Sequence, residues 1–287
     1  VPSLPPKLLQ LTRFDVTWNG FSPLHWPSIL RKWPRLHELR IHNESVIYNF
    51  ICLLPNLPRS SEILTCLDLN FANSLLALVK PSPPHEFRDL NTLYPNLHTL
   101  KLRGRSHFRS TLLAVLPKKL LYLGLDFHGE VKLVDFVRSL PDTLEEVFMR
   151  VSTPYRPEDL GERDKLTWPP RLRRLLIQSS LVGSAPFETL PDTLEFFDAM
   201  VLGGIQRFPS HKLPRGITEM DFRTGSHAML DFASLPLTLR KMTVSATRPH
   251  STSDLEDHMD LASLPPNLTY FYVSMEAEMN ADSNLSH

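Results

Sequence analysis

The chain carries no excess charge of either sign. Lys plus Arg and Asp plus Glu both number 31, so no uniform field is available to hold a polyanion. Bulk electrostatic binding of nucleic acid or an anionic membrane is therefore disfavoured. Long apolar runs are also missing. The longest, such as Thr111–Leu116 and Leu120–Leu125, fall far short of the roughly 20 residues a membrane span needs. Cysteine is scarce: Cys52 and Cys66 cannot build a disulfide framework, and an isolated pair in a chain this size fits free thiols in a reducing compartment.

Catalytic signatures are missing too. The sequence contains no phosphate-binding G-x-x-x-x-G-K, no G-x-G-x-x-G, no G-x-S-x-G elbow and no H-E-x-x-H, the patterns that place a nucleophile, a metal or a cradle of amides. Its 12 histidines are dispersed. Glu256-Asp257-His258 with Asp260 gathers groups that can hold a cation, and a solvated acidic loop is the simpler reading of them. The expectation is a non-enzyme with no catalytic residues, no metal and no cofactor. Neither an initiator Met nor a charged–apolar leader pattern precedes Val1. That points to a processed chain or a piece of a longer one; the isolated cysteine pair points to the cytoplasm, with secretion as the alternative. Three N-x-S/T sequons at Asn43, Asn267 and Asn284 are close to what chance supplies.

What the chain does contain is repetition. Leu140–Glu145 and Leu190–Glu195 are both L-P-D-T-L-E. They belong to a motif, apolar–x–x–apolar–x–apolar, whose eleven copies begin at Leu11, Leu36, Leu64, Leu97, Leu120, Leu144, Leu172, Leu194, Ile217, Leu239 and Leu268. The spacings are 25, 28, 33, 23, 24, 28, 22, 23, 22 and 29. A period of 22–24 with insertions is the signature of a stacked array. The copies leave no gap for a boundary, so the expectation is one domain over 1–287, with repeats across 4–274 and a polar tail at 275–287.

One unit, Ser139–Arg150, shows the construction. Leu144, Val147 and Met149 supply the core, and the last two stand two apart as strand alternation requires. Glu146, Phe148 and Arg150 face the other way. Leu140-Pro141 ends the return segment, because proline fixes φ, lacks an N–H and pushes the preceding residue toward extended backbone. The return segments repeat as well. Leu133-Val134-Asp135-Phe136, Met229-Leu230-Asp231-Phe232 and His258-Met259-Asp260-Leu261 each precede a Leu-Pro. Their apolar spacing predicts a short helix or 3₁₀ turn packed on the strand layer. Leu123, Leu125, Val147, Leu175, Ile177 and Phe197 are expected in the core.

On these residues the chain resembles a leucine-rich repeat protein over essentially its whole length. The L-P-x-x-L prefix is similar to the FNIP-type repeat of protists and to the L-P-x-type repeat of bacterial effector ubiquitin ligases. The resemblance implies an α/β solenoid, a horseshoe with a parallel sheet of about eleven strands on its concave face and short helical or 3₁₀ turns on the convex face. It also implies binding of a macromolecule on that sheet. One feature departs from the family: the position that normally holds Asn or Cys carries Asn19, Glu44, Ala72, Arg105, His128, Ser152, Ser180, Leu202, Gly225, Thr247 and Glu276. The bonds an asparagine ladder would make must come from other side chains, backbone or water.

Outward positions on the strands change character along the array. They are mostly polar at first; then Tyr122, Phe148, Leu176 and Phe196 come together, with Met200 beside them. Glu146, Arg150, Arg174 and Asp198 surround this group. Aromatics ringed by Arg are what interface hot spots are made of, although aromatics on a sheet also pack on one another for strand propensity alone. The insertions Ser152–Lys165 and Ala246–Asp257 are expected to be solvated loops, and Ala72–Arg88, with Lys80-Pro81-Ser82-Pro83-Pro84, largely extended. The functional expectation is a non-catalytic interaction module for a protein partner, monomeric or part of a larger assembly. The alternative is the substrate-recognition part of a ubiquitin ligase or effector. Finally, Cys66 falls in an outward strand column and Cys52 in a return segment, so they are expected on opposite sides of the coil.

Overall fold

The alternation of the motif becomes strand register in the structure. The structure is a computed structural model, and it describes residues 10–18, 33, 35–43, 63–71, 90–107, 116–128, 133–155, 166–181, 189–201, 207–224, 229–247 and 261–276. Two compact units make up the chain, Val1–Thr153 with Thr167–Leu172, and Pro154–Leu166 with Arg173–His287. The first holds β1 (Arg13–Trp18), β2 (Glu38–Asn43), β3 (Cys66–Phe71), β4 (Thr99–His107), β5 (Tyr122–His128) and β6 (Glu146–Tyr155), with helices α1 (Leu90–Leu93) and α2 (Leu133–Ser139). The second holds β7 (Arg174–Leu181), β8 (Phe196–Val201), β9 (Arg207–Phe208), β10 (Glu219–Thr224), β11 (Met229–Leu230), β12 (Lys241–Thr247) and β13 (Tyr270–Glu276). Three 3₁₀ helices, Ser210–Lys212, Phe232–Ser234 and Leu261–Ser263, complete it.

Eleven strands follow the chain order in a parallel sheet; β9 and β11 form a separate parallel pair. Motif positions face one another across the pairs. In the first unit Leu39, Leu67, Leu100, Leu123 and Val147 align in one row. In the second, Leu175, Phe197, Met220, Met242 and Phe271 do the same. All six core residues expected from the spacing, including Leu123, Val147, Leu175 and Phe197, are buried. Each such side chain withdrawn from water contributes about 1.5–3 kcal/mol. Burial is less complete in the outermost strands, where Phe14, Val16, Phe271 and Val273 are only half-buried. This arrangement of parallel strands, stacked coils and little helix is a leucine-rich-repeat-like solenoid.

The L-P-x-x-L segment forms a turn. Proline has no N–H to give, but its carbonyl accepts from the leucine three residues on: Leu144 N–H to Pro141 C=O at 3.1 Å, and likewise Leu194 to Pro191 and Leu239 to Pro236. The leucine before proline is extended, as at Leu235 with φ −69° and ψ 150°, which is what the proline ring imposes. The next carbonyl position is shared between coils. Thr12 C=O accepts from both His37 and Glu38 N–H, at 2.7 and 3.0 Å, and Leu121 C=O accepts from Glu145 and Glu146 at 2.9 and 3.0 Å. A carbonyl oxygen has two lone pairs, and here both are used.

Threonine hydroxyls add a second ladder at the same turns. The single Thr143 Oγ1 proton is shared between the Lys118 and Leu120 carbonyls, at 2.9 and 2.7 Å. Thr238 Oγ1 serves Arg215 and Ile217 in the same way, and Asn267 Nδ2 donates to Leu237 C=O at 2.8 Å. At the far end of the strand, where the family places asparagine, the backbone simply stays extended. Arg105, His128, Ser152, Ser180, Thr247 and Glu276 all lie within strands; His128 stands opposite His107 and Thr247 opposite Glu276 in the ladder, and Arg105 falls at a shift of register.

Three expectations need correction. Ala246-Thr247, the start of the third insertion, is not loop but the end of β12. Ser152–Tyr155 is not loop but the end of β6; its Val151-Ser152-Thr153 run alternates and is rich in strand-favouring residues. Met229-Leu230 is not helical: it pairs with Arg207-Phe208 as β11, and the 3₁₀ helix starts only at Phe232. The return segment at Leu133 is helical as expected; of His258–Leu261 only Leu261 is described, and it opens a 3₁₀ helix. Ala72–Arg88, residues 156–165 and 248–260 lie outside the described residues. No helix among the described residues is long and apolar enough to cross a membrane.

Candidate functional site

Strand alternation decides which side chains reach the open face of the sheet, and the register decides their neighbours. The candidate residues fall into two sets. Tyr122, Glu146, Phe148 and Arg150 belong to the first unit; Arg174, Leu176, Phe196, Asp198 and Met200 belong to the second.

In the first set, Tyr122 opens β5 opposite Glu146, Gly124 stands opposite Phe148, and Asp126 opposite Arg150. Tyr122 leans along its own strand. A Cβ added at Gly124 would stand 3.1 Å from Tyr122 Cε1 and 3.5 Å from Lys101 Cγ, so glycine is what lets the ring lie down there. Lys101 Nζ sits 4.6 Å from the Tyr122 ring centroid, a distance at which the ring quadrupole attracts the ammonium. Arg150 Nη1 lies 3.7 Å from Asp126 Oδ2. Phe148 is half-buried on the open face, between these features.

In the second set, Arg174 stands opposite Phe196, Leu176 opposite Asp198, and Gln178 opposite Met200. Arg174 Cζ lies 4.4 Å from the Phe196 ring centroid, so the guanidinium is stacked on the aromatic rather than standing apart from it at a rim. Leu176, Phe196 and Met200 are half-buried. Asp198 corrects the expectation. It is only 3% exposed, flanked in register by Leu176 and Asp221. Arg223 Nη2 is 3.7 Å from Asp198 Oδ2 and 3.3 Å from Asp221 Oδ2. Asp198 is a covered, internally paired group and not a rim acid.

Several other charges on the face are paired. Arg13 meets Asp15 and Glu38 at 3.6 and 3.5 Å, Arg40 meets Glu38 at 3.4 Å, and Lys241 meets Glu219 at 3.1 Å. Cys66 is a free thiol in this setting. Burial pushes its thiol up from its ordinary value, an effect that Arg40 opposes and Glu38 reinforces. It therefore stays protonated and is a poor nucleophile at neutral pH. Its expected relation to Cys52 falls outside the described residues, as does the Glu256–Asp260 cluster. Among the described residues no group of three or more His, Cys, Asp or Glu is placed to hold a metal.

The sequence reading passed over one feature of the face. Tyr270 and Tyr272 on β13 are 52% and 50% exposed, the most exposed large aromatics among the described residues. A signal was present: β13 is the one strand with an aromatic in both outward columns.

With this geometry in hand, the chain was compared with known proteins. No family model matches it, and no curated protein does. Among solved structures it is similar to CroV588, described as a novel circular leucine-rich-repeat protein, with 16% sequence identity and a TM-score of 0.38. That likeness covers 85% of this chain and 37% of the other, so the chain spans little more than a third of that protein's length.

Proposed function

We propose that the chain is a non-catalytic recognition module that binds a protein partner on the open face of its strands. One observation supports this most: Tyr122 and Phe148 stand on the open face of the first unit's strands, and Leu176, Phe196 and Met200 on that of the second, none of them fully buried. Apolar groups held part-exposed on a rigid sheet carry a solvation cost unless a partner covers them. Repeat solenoids as a class present extended surfaces of this kind. The stacked L-P-x-x-L turns support kinship with FNIP-type and bacterial L-P-x-type repeats. A free Cys66 thiol suits a reducing, cytoplasmic setting.

Calorimetry with a partner purified on the immobilised chain tests the reading. Phe148→Ala and Phe196→Ala, made separately, are each expected to weaken binding by about 2 kcal/mol or more with little change in melting temperature. Asp15→Ala should leave binding unchanged. Loss with Asp15→Ala and none with either phenylalanine variant would place the contact at the polar end and sink the proposal.

A further inference from the structure

Three arginines on the first unit's open face have a carboxylate beside them. Arg13 meets Asp15 and Glu38, Arg40 meets Glu38, and Arg150 meets Asp126. Two further cations, Lys101 and Arg103 on β4, do not. Both are half-buried, and among the described residues neither side chain has an ion pair or a hydrogen bond. Lys101 touches only the Tyr122 ring.

The acids near them are covered, engaged or distant. In register Lys101 stands between Asp68 and Gly124, and Arg103 between Asn70 and Asp126. Asp68 is 6% exposed and makes no ion pair with Lys101. Asp126 lies 3.7 Å from Arg150, so two guanidinium groups flank one carboxylate in that row. Glu146 stands two strands from β4, opposite Tyr122. Lys101 and Arg103 are two apart on one side of β4, about 6.8 Å along the strand. Two like charges at that separation, inside a Debye length of about 8 Å, repel each other and attract an anion placed over them.

We infer that β4 receives an extended acidic segment of the protein partner, with carboxylates at alternate positions over Lys101 and Arg103. The next position on the same side, level with Thr99, takes an aromatic or aliphatic side chain against Tyr122, which stands opposite Thr99. The inference rests on the reading that this face binds protein, and gives that protein a charge and a spacing. An extended segment repeats its side chains at the spacing of the strand beneath it, and charge-assisted hydrogen bonds to carboxylates are the strong ones. A nucleic-acid strand fits less well, because its phosphates continue past the two cations toward Asp126 and Glu146.

A phage-displayed random peptide library panned on the whole chain tests this. Enriched peptides are expected to carry two Asp or Glu at alternate positions, with a large apolar residue two places beyond. A synthetic peptide of the enriched sequence should lose affinity about thirty-fold on Lys101→Gln/Arg103→Gln. Replacing its acids by amides should weaken binding to the parent similarly and to the glutamine variant no further. Binding should also weaken between about 0.05 M and about 0.5 M salt. Because neither cation has an ion pair or hydrogen bond to lose, circular dichroism and melting temperature should match the parent. No enrichment, an uncharged or basic consensus, salt-independent binding or indifference to the glutamine pair overturns the inference. So does a single-stranded DNA oligonucleotide that binds through Lys101 and Arg103 where no acidic peptide does. Phe148→Ala and Phe196→Ala, measured with the glutamine pair on the purified protein partner, keep the two proposals apart. Loss on a phenylalanine variant with an unaffected glutamine pair removes the acidic segment alone. Loss on the glutamine pair with both phenylalanine variants unaffected removes the apolar patch alone.

Discussion

Two return segments that read almost alike in sequence fold differently. Asp135-Phe136-Val137-Arg138-Ser139, ahead of Leu140-Pro141, lies in the α-helix α2, whereas Phe232-Ala233-Ser234, between Asp231 and Leu235-Pro236, is a 3₁₀ helix. The second is one residue shorter between its Asp and its Pro. Both must end at a Leu-Pro turn whose proline carbonyl accepts from the next strand's leucine. A 3₁₀ helix rises about 2.0 Å per residue against about 1.5 Å for an α-helix, so tighter winding recovers the span lost with the residue. The third segment, ending Leu261-Ala262-Ser263-Leu264-Pro265, has the shorter spacing and the same 3₁₀ outcome. The serine before Leu-Pro records the switch. Ser139 Oγ donates to the Phe136 carbonyl in α2, while Ser234 Oγ donates to the Asp231 carboxylate in the 3₁₀ turn, both at 2.7 Å.

The largest test of this comparison is removal of the shared phenylalanine. Phe136 and Phe232 are both buried, so alanine at either should cost about 3–5 kcal/mol in urea unfolding. Phe136 should cost more, because α2 also buries Leu133, Val134 and Val137 around it. Costs below about 1 kcal/mol at both would mean the return layer is not part of the core.

A middle-sized effect is expected at the turn that both segments feed. Thr143→Val follows α2, Thr238→Val follows the 3₁₀ turn, and each hydroxyl serves two carbonyls of the preceding coil. Each change should cost about 1–1.5 kcal/mol, and nearly the same at both sites, read from thermal unfolding. A clear inequality would show that the type of return segment reaches through to the turn. The smallest effect separates the two aspartates. Asp231→Ala removes the acceptor of Ser234 and should cost about 0.5–1 kcal/mol, whereas exposed Asp135→Ala should fall within about 0.5 kcal/mol of zero. Equal losses would erase the distinction.

Much of this molecule was legible in its sequence because one pattern carries several constraints at once. Aligning apolar–x–x–apolar–x–apolar on itself is the same operation as pairing the strands, so Leu123 and Val147 matched on paper are partners in the sheet. Helix type was not legible from any single segment, since it depends on a one-residue difference seen only when two segments are laid side by side. Nor was strand length, because Ser152 and Arg105 sit where the family pattern expects a turn. On the face, alternation told which residues point outward but not how far they stand out. Asp198 occupies an outward position and is nonetheless covered, and Arg174 lies flat over Phe196. Those outcomes depend on rotamers of long neighbours across the sheet, which spacing does not encode.

The shared carbonyl at each turn has a consequence for how such a chain can grow. Leu121 and Tyr122 give their amide protons to His98 of the coil before, and the Leu121 oxygen takes the protons of Glu145 and Glu146 from the coil after. Within each unit a described coil thus presents one kind of plug behind and the matching socket ahead. A gene segment copied in frame yields a coil whose fittings already suit both neighbours, with no compensating substitution required. The twin L-P-D-T-L-E stretches at Leu140–Glu145 and Leu190–Glu195 are the kind of trace that copying leaves, and the joint tolerates it because its working parts are main-chain atoms that mutation does not alter.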